Sequence, residues 1–280
     1  MPEYEIETPI KSNEICSLTM ARRVAAMLDL DTQTFSEGDI LPKGWHFFML
    51  GGQTRKSELR ADGFPGLGVS IPDLGLPRLL LGGRTVAYNG DILIGSVVEK
   101  NSFIKEIREK TTANGRMAIV TIQHELRPLS EEKPAIVETQ TYILKPITNE
   151  ELGIGSFTPP EPSIPILSFL IPNYSIIPDE TLLFQYSALG FNSHKIHLDR
   201  NYAQNIEGLP DLVVNGGLAT LLMTEFVRNE LKLNLSEIKV KHLVPLYSNR
   251  PLTISFEERE LKVFDNKNEL AVVMELGLNN

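Results

Sequence analysis

The chain has 280 residues, with 36 Asp and Glu against 27 Lys and Arg, a formal net charge of −9. Hydrophobic residues make up 42% and charged residues 22%, enough for a sizeable core, which excludes disorder as the main state. The acid excess and the absence of a basic run argue against nucleic acid as a partner, and the single cysteine, Cys16, leaves no internal disulfide and no cysteine-based zinc site, favouring a reducing compartment.

No uninterrupted apolar segment reaches the ~18 residues of a membrane span, so no membrane association is expected. Residues 1–8 carry three acids and no base, the wrong charge for a signal or transit peptide. A cytoplasmic location is the expectation, with a mitochondrial one left open for a eukaryotic source.

In chain order, Asn13 is a candidate N-cap. Ile15, Leu18, Ala21, Val24 and Leu28 then recur at helical spacing. An aromatic run, Trp45-His46-Phe47-Phe48, precedes a Gly- and Pro-rich loop over 51–83. Segments 84–88 and 91–96 flank Asn89-Gly90, which predicts a two-residue hairpin. Segments 102–108 and 116–126 flank a second turn at Asn114-Gly115, and 136–144 reads as a further strand.

Seven of the eighteen prolines fall between Lys145 and Glu180, so this stretch reads as an extended connector. Beyond it a helix is predicted over 179–189 with Asp179 as its cap, a short one over 201–206, and a strong one over 216–233. Strands follow at 237–243, 251–258, 260–264 and 269–276. Each portion thus reads as helix, then antiparallel strands. This predicts an α+β fold of two copies of one unit, and a long helix followed by a curved antiparallel sheet fits the hotdog fold, a pattern that many α+β folds share. The expected division is 1–145, the first unit; 146–178, the Pro-rich connector; and 179–280, the second unit.

The segment richest in chemistry is Tyr186-Ser187-Ala188-Leu189-Gly190-Phe191-Asn192-Ser193-His194-Lys195-Ile196-His197-Leu198-Asp199. It places two histidines three residues apart beside an amide, and imidazole is the side chain best suited to moving protons near neutral pH. The bland alternative is a solvated loop whose histidines bond locally. No third ligand stands at a metal-binding spacing, so no metal is expected. The second feature is Asn215-Gly216-Gly217 at a helix start, where free N–H groups and the helix dipole favour negative charge. Taken alone it is also a turn and cap. Cys16 reads as core, His46 as a satisfied strand histidine, and His124 and His242 as structural.

Residues 184–222, FQYSALGFNSHKIHLDRNYAQNIEGLPDLVVNGGLATLL, resemble the C-terminal hotdog of the MaoC-like hydratases. More narrowly, they resemble the branch of hydroxyacyl-thioester dehydratase type 2 and mesaconyl-C4-CoA hydratase. Leu41 to Phe48 and Ser57 to Gly63 extend the likeness more loosely. The resemblance implies a tandem (double) hotdog, each a long helix wrapped by a curved antiparallel β-sheet, with 1–145 a degenerate N-terminal hotdog forming the substrate-pocket half and 179–280 a C-terminal hotdog carrying the catalytic residues. It implies a hydro-lyase that adds or removes water at the 2,3 position of an acyl thioester. The acyl group would be a C5 diacid of mesaconyl, itaconyl or citramalyl type, or a longer straight chain, carried on CoA or an acyl carrier protein. No cofactor beyond the thioester is implied, and a homo-oligomer is compatible.

Aligned to the family's Asp-x-Asn-Pro-x-His, the His falls on His197, the Asp on Asn192, the Asn on His194 and the Pro on Lys195. The branch's His-Gly-Pro at the second helix start is Asn215-Gly216-Gly217 here. The catalytic residues implied are His197, as general base and acid, and Asn192, which holds the water or hydroxyl. Gly216 and Gly217 would bind the thioester oxygen. His194, Asn215, Trp45 and His46 are further substrate-binding candidates, Trp45 and His46 as walls supplied by the first half. A non-catalytic acyl-thioester-binding protein, favoured by the amide at 192, and a thioesterase are the alternatives.

Overall fold

The computed structural model describes residues 8–112, 115–146 and 174–279. The connector expected at 146–178 lies largely outside them, as does Asn114 of the second turn. Of that connector, residues 174–176 form a short strand rather than irregular chain.

Among the described residues, ten strands form one antiparallel sheet. The first five are β1 (Ile10–Ile15), β2 (Arg78–Tyr88), β3 (Val97–Thr112), β4 (Gly115–Pro128) and β5 (Ile136–Lys145). The others are β6 (Tyr174–Ile176), β7 (Leu235–His242), β8 (Leu252–Glu257), β9 (Glu260–Phe264) and β10 (Leu270–Leu278). Their order across the sheet is β1-β3-β4-β5-β2-β7-β10-β9-β8-β6. Read outward from the middle, both halves follow one path. The second strand of each lies at the junction and the first at the outer edge, so the sheet carries the repetition that the sequence only suggests.

The halves meet where β2 pairs with β7, with Arg84 opposite Val240 and Val86 opposite Ile238. Gly83 is required there, because a β-carbon on it would stand 2.4 Å from the Val240 carbonyl oxygen.

Four helices complete the described fold: α1 (Leu18–Met27), α2 (Glu180–Leu189), α3 (Arg200–Asn205) and α4 (Gly216–Phe226). In α4 the nine successive residues from Leu218 to Phe226 are all buried. A helix apolar nearly all round belongs inside a core, and α4 is gripped between sheet and loops. It continues into a π-helical turn, Val227–Leu231, which ends at Lys232 with φ 54°. Its one buried acid, Glu225, accepts from the Trp45 indole at 2.8 Å and from Arg228.

Two local expectations are corrected. The first helix is capped by Ser17, whose hydroxyl accepts from the Met20 N–H at 3.2 Å, while Asn13 sits inside β1 opposite Glu99. Asn89-Gly90 closes no hairpin, because β2 is paired on both edges by β5 and β7; both N–H groups instead donate to the Ala135 carbonyl. On β5 the inward residues are Ile136, Glu138, Gln140, Tyr142 and Leu144, which brings two polar groups into the interior.

The main core takes residues from both halves, including Trp45, Val86, Leu183, Leu221 and Met274. A second cluster joins Ile104, Val120, Ile122 and Leu144 to Leu74 and Leu76 of the Gly- and Pro-rich loop, laying that loop over the sheet beside the β2–β7 junction.

Candidate active site

A cavity of about 460 Å³ opens where the loop over β2, the 190–197 loop and the start of α4 converge. Asn192, His194, His197, Asn215, Gly216 and Gly217 all line it. Among the described residues no Asp, Glu, Ser, Thr or Cys is part of its wall.

His197 is 8% exposed. Its Nδ1 is 2.7 Å from the Val213 carbonyl oxygen. A carbonyl only accepts, so Nδ1 carries the proton and the neutral ring keeps the lone pair on Nε2. Nε2 has no hydrogen-bond partner among the described residues. Burial pushes this imidazole down to about 3, the bond to Val213 opposing and His194 adding to the fall. The ring is therefore neutral, and a proton acceptor, throughout the neutral range.

His194 meets His197 edge to face at 5.5 Å and Phe64 at 5.3 Å. Burial lowers its pKa against the pull of Asp62, whose carboxylate lies 3.8 Å away.

Asn192 Oδ1 accepts from the His194 backbone N–H at 3.1 Å. That bond commits the oxygen to the turn, and Nδ2, with no partner among the described residues, is the group left to donate.

The loop carrying these residues is held by the first half of the chain. Ser193 Oγ donates to the Gly63 carbonyl at 2.7 Å, and the Lys195 backbone N–H donates to the Asp62 carbonyl at 2.8 Å. Lys195 Nζ donates to the Ala61 carbonyl at 2.7 Å. Gly63, at φ +77°, lies so close that a β-carbon would stand 2.4 Å from the Ser193 oxygen. Asp199 caps α3 through the Tyr202 N–H at 3.0 Å, and Glu58 is an exposed partner of Arg55.

Helix α4 begins without a side-chain cap. The Asn215 side chain instead turns to Ser187 at 3.3 Å, leaving its Oδ1 buried and unpartnered. The first N–H groups of the helix, on Gly216 and Gly217, have no intrahelical acceptor. With the helix dipole behind them they suit an oxygen that gains negative charge.

Trp45 and His46, expected as lining candidates, do not face this cavity. Trp45 is fully buried and bonded to Glu225. His46, in a 3-10 turn rather than a strand, is bonded to Glu138 at 2.8 Å. Phe47 alone of that run lines the cavity, stacked on Tyr186 at 4.4 Å between centroids.

Other wall residues were not singled out from the sequence: Arg84, Gln140, Tyr142 and Tyr186, with His124 and His242, which were read as structural. Behind them lies Glu138, 1% exposed. It accepts from Arg84 at 3.1 Å, His46 at 2.8 Å and Gln140 at 2.7 Å. Burial alone would push its carboxyl up, but Arg84 and His46 outweigh this and hold it down to about 2. Period-two reading of β5 was the available signal, since Glu138 and Gln140 share a face with Ile136 and Leu144. Cys16 is buried, and burial pushes its thiol up to about 12, too high for a nucleophile. Among the described residues no three His, Cys, Asp or Glu cluster as metal ligands, and no helix is long and apolar enough to cross a membrane.

The family model for hydroxyacyl-thioester dehydratase type 2 matches residues 44–248. The chain is 29% identical over 276 residues to the mesaconyl-C(4)-CoA hydratase of Chloroflexus aurantiacus, covering 95% of this chain and 94% of that protein. It is 26% identical over 238 residues to the mitochondrial hydroxyacyl-thioester dehydratase type 2 of Schizosaccharomyces pombe, covering 78% of each. Among solved structures it is similar to a MaoC-like dehydratase from Phytophthora capsici, with TM-score 0.67, 12% identity, and 98% and 97% of the two chains covered. It is also similar to a double-hotdog protein from Mycobacterium tuberculosis, with TM-score 0.58, 11% identity, and 96% and 95% covered. The fold is the expected α+β double hotdog.

Proposed function

The chain belongs to the hydroxyacyl-thioester dehydratase type 2 family, and from that premise we propose that it is a hydro-lyase acting at the 2,3 position of an acyl thioester, with His197 moving the proton. The supporting observation is the unpartnered Nε2 of a neutral imidazole that shares one cavity with the Asn192 amide and the uncapped start of α4.

In the hydrating direction His197 Nε2 takes a proton from water while the water oxygen bonds to C3. The C2=C3 electrons move toward the thioester, whose oxygen gains charge against the Gly216 and Gly217 N–H groups. The proton held on Nε2 then passes to C2, restoring the carbonyl and the neutral ring. Asn192 Nδ2 donates to the oxygen of the water and of the resulting hydroxyl, fixing its place. His194 is the second proton-handling candidate. The reaction so written needs no cofactor beyond the thioester, on CoA or an acyl carrier protein.

A thioesterase reading is disfavoured, because the wall offers no carboxylate, hydroxyl or thiol nucleophile among the described residues apart from tyrosine. A binding-only role draws on the amide at 192, but in the scheme above the proton needs only the imidazole.

The test is to incubate the protein with enoyl-CoA esters of differing length and charge and to follow loss of the enoyl-thioester absorbance. Hydration of at least one ester, lost in His197→Asn, is the expected result. Binding without turnover of any ester would favour the binding-only role.

A further inference from the structure

The water in the scheme above has two hydrogens, and His197 Nε2 accounts for one. Asn192 Nδ2 meets its oxygen as a donor. The second hydrogen needs an acceptor of its own, because a water held among buried groups makes about three hydrogen bonds and leaving one unmade is costly.

The cavity wall offers that acceptor. Asn215 lines the cavity and is 3% exposed. Its Oδ1 is buried, and no donor reaches it among the described residues. A buried polar atom in that state is stabilised by a ligand that brings a donor.

Two anchors bring this oxygen toward the same water. Ser187, 2% exposed, holds both amides. Its backbone carbonyl accepts from the Asn192 N–H at 2.8 Å, and its hydroxyl accepts from Asn215 Nδ2 at 3.3 Å. With Nδ2 turned to Ser187, Oδ1 is the free end of the Asn215 amide. From the other side, His197 Nδ1 donates to the carbonyl of Val213 at 2.7 Å, two residues before Asn215. Nε2 and Oδ1 are thus two acceptors and Asn192 Nδ2 one donor in a single cavity. Water has two hydrogens and two lone pairs. Those three partners leave one lone pair over, the pair that bonds to C3.

We propose that Asn215, held by Ser187, is a third partner of the reacting water, its Oδ1 accepting the hydrogen that stays on the oxygen. As the lone pair bonds to C3, one proton passes to His197 Nε2. The other remains on the oxygen and becomes that of the C3 hydroxyl, still donated to Asn215. The proposal rests on the hydro-lyase reading above and extends it.

The experiment uses 3-hydroxypropionyl-CoA and propionyl-CoA, which differ only in the C3 hydroxyl and have no stereocentre in the acyl group. Calorimetry is done on the full chain carrying His197→Asn, so that the hydroxy ester is not dehydrated during the titration. With Asn215 intact, the hydroxy ester should bind at least about 5-fold more tightly, the lower end for pairing a buried polar group. Adding Asn215→Leu, which keeps the bulk without polar atoms, should abolish that preference while propionyl-CoA binding holds. Adding Asn215→Asp, which keeps an acceptor, should retain most of it.

No preference with Asn215 intact, a preference that survives in folded Asn215→Leu, or equal weakening of both esters overturns the proposal while leaving the hydro-lyase reading intact. A preference lost as fully in Asn215→Asp as in Asn215→Leu means that the amide donates, and overturns it too, as does binding of neither ester. If wild type hydrates no enoyl ester yet the preference is present and depends on Asn215, the hydroxyl site stands and the hydro-lyase reading falls. Should Asn215→Leu fail to fold, Ser187→Ala, which frees the amide, takes its place and should weaken the preference; an unchanged preference there overturns the proposal.

Discussion

The hydroxyl of Tyr186 fills the space that a side chain on Gly217 would need: a β-carbon there would stand 2.0 Å from the phenolic oxygen. Tyr186 cannot easily retreat, because its ring is buried and stacked on Phe47. The glycine at 217 and the tyrosine at 186 are thus a matched pair at the mouth of α4.

Gly217→Ala is accordingly expected to destabilise the protein, although alanine in a helix is ordinarily favoured by about 0.5–1 kcal/mol. Tyr186→Phe removes the clashing oxygen, so the double variant should recover part of the loss. Urea unfolding of the four proteins measures the coupling, and purely additive effects would refute the pairing.

His197→Ala is a poor probe, because it opens a hole and strips the Val213 carbonyl of its donor, a loss of about 1–3 kcal/mol. His197→Asn keeps an N–H where Nδ1 stands and deletes Nε2. It should remain folded while kcat falls about 10²–10⁴-fold. In the wild type the neutral ring predicts kcat/KM without an acid limb near 6.5 between about pH 6 and 8. A limb with an apparent pKa of 6–7 would shift the role to another group.

Asn192→Asp is expected to lower activity, not restore it. Oδ1 is already spent on the His194 N–H, so the exchange replaces a free donor by an anionic acceptor beside developing negative charge. The loss should exceed that of Asn192→Ala and show in kcat more than KM. An increase in kcat would mean that the site wants a carboxylate there.

Stability should fall with acid. Burial pushes His124 to about 4 and His197 to about 3, below the unfolded value of about 6.5. The unfolded chain therefore binds more protons across that window, and stability is lost progressively as pH drops below about 6.5. Glu138, held down to about 2, adds loss in the same sense below about pH 4.5. Each histidine contributes on the order of 1–2 kcal/mol at pH 5. Urea midpoints from pH 7.5 to 5 should decline, and less steeply in His124→Gln.

Local signals made much of this protein legible. Asp179 caps α2 through the Leu182 N–H at 2.7 Å, and Asp265 organises the β9–β10 turn through the Lys267 and Glu269 N–H groups. Both rest on neighbours in sequence. What escaped depends on distant partners. Ser17 outcompetes Asn13 as a cap because residues 10–15 are claimed by β3, and Asn89-Gly90 turns toward Ala135 because both edges of β2 are taken. Arg84 reads as one more polar residue on a strand. Only Glu138, 54 positions later, and α4, more than 130 later, turn it into part of a wall.

The shared strand path of the two halves has a consequence for how this protein can change. Two identical copies meeting antiparallel, as β2 meets β7, would form a twofold dimer with two equal pockets. In such a dimer every substitution is imposed on both pockets at once. A single chain escapes that symmetry, since its two halves mutate independently. Here one half contributes the imidazole and the helix start, the other Arg84, Gly63 and the Glu138 cluster. Altered acyl preference can therefore arise in β2 and β5 without disturbing the 192–197 loop, and altered proton transfer can arise in that loop without disturbing the strands.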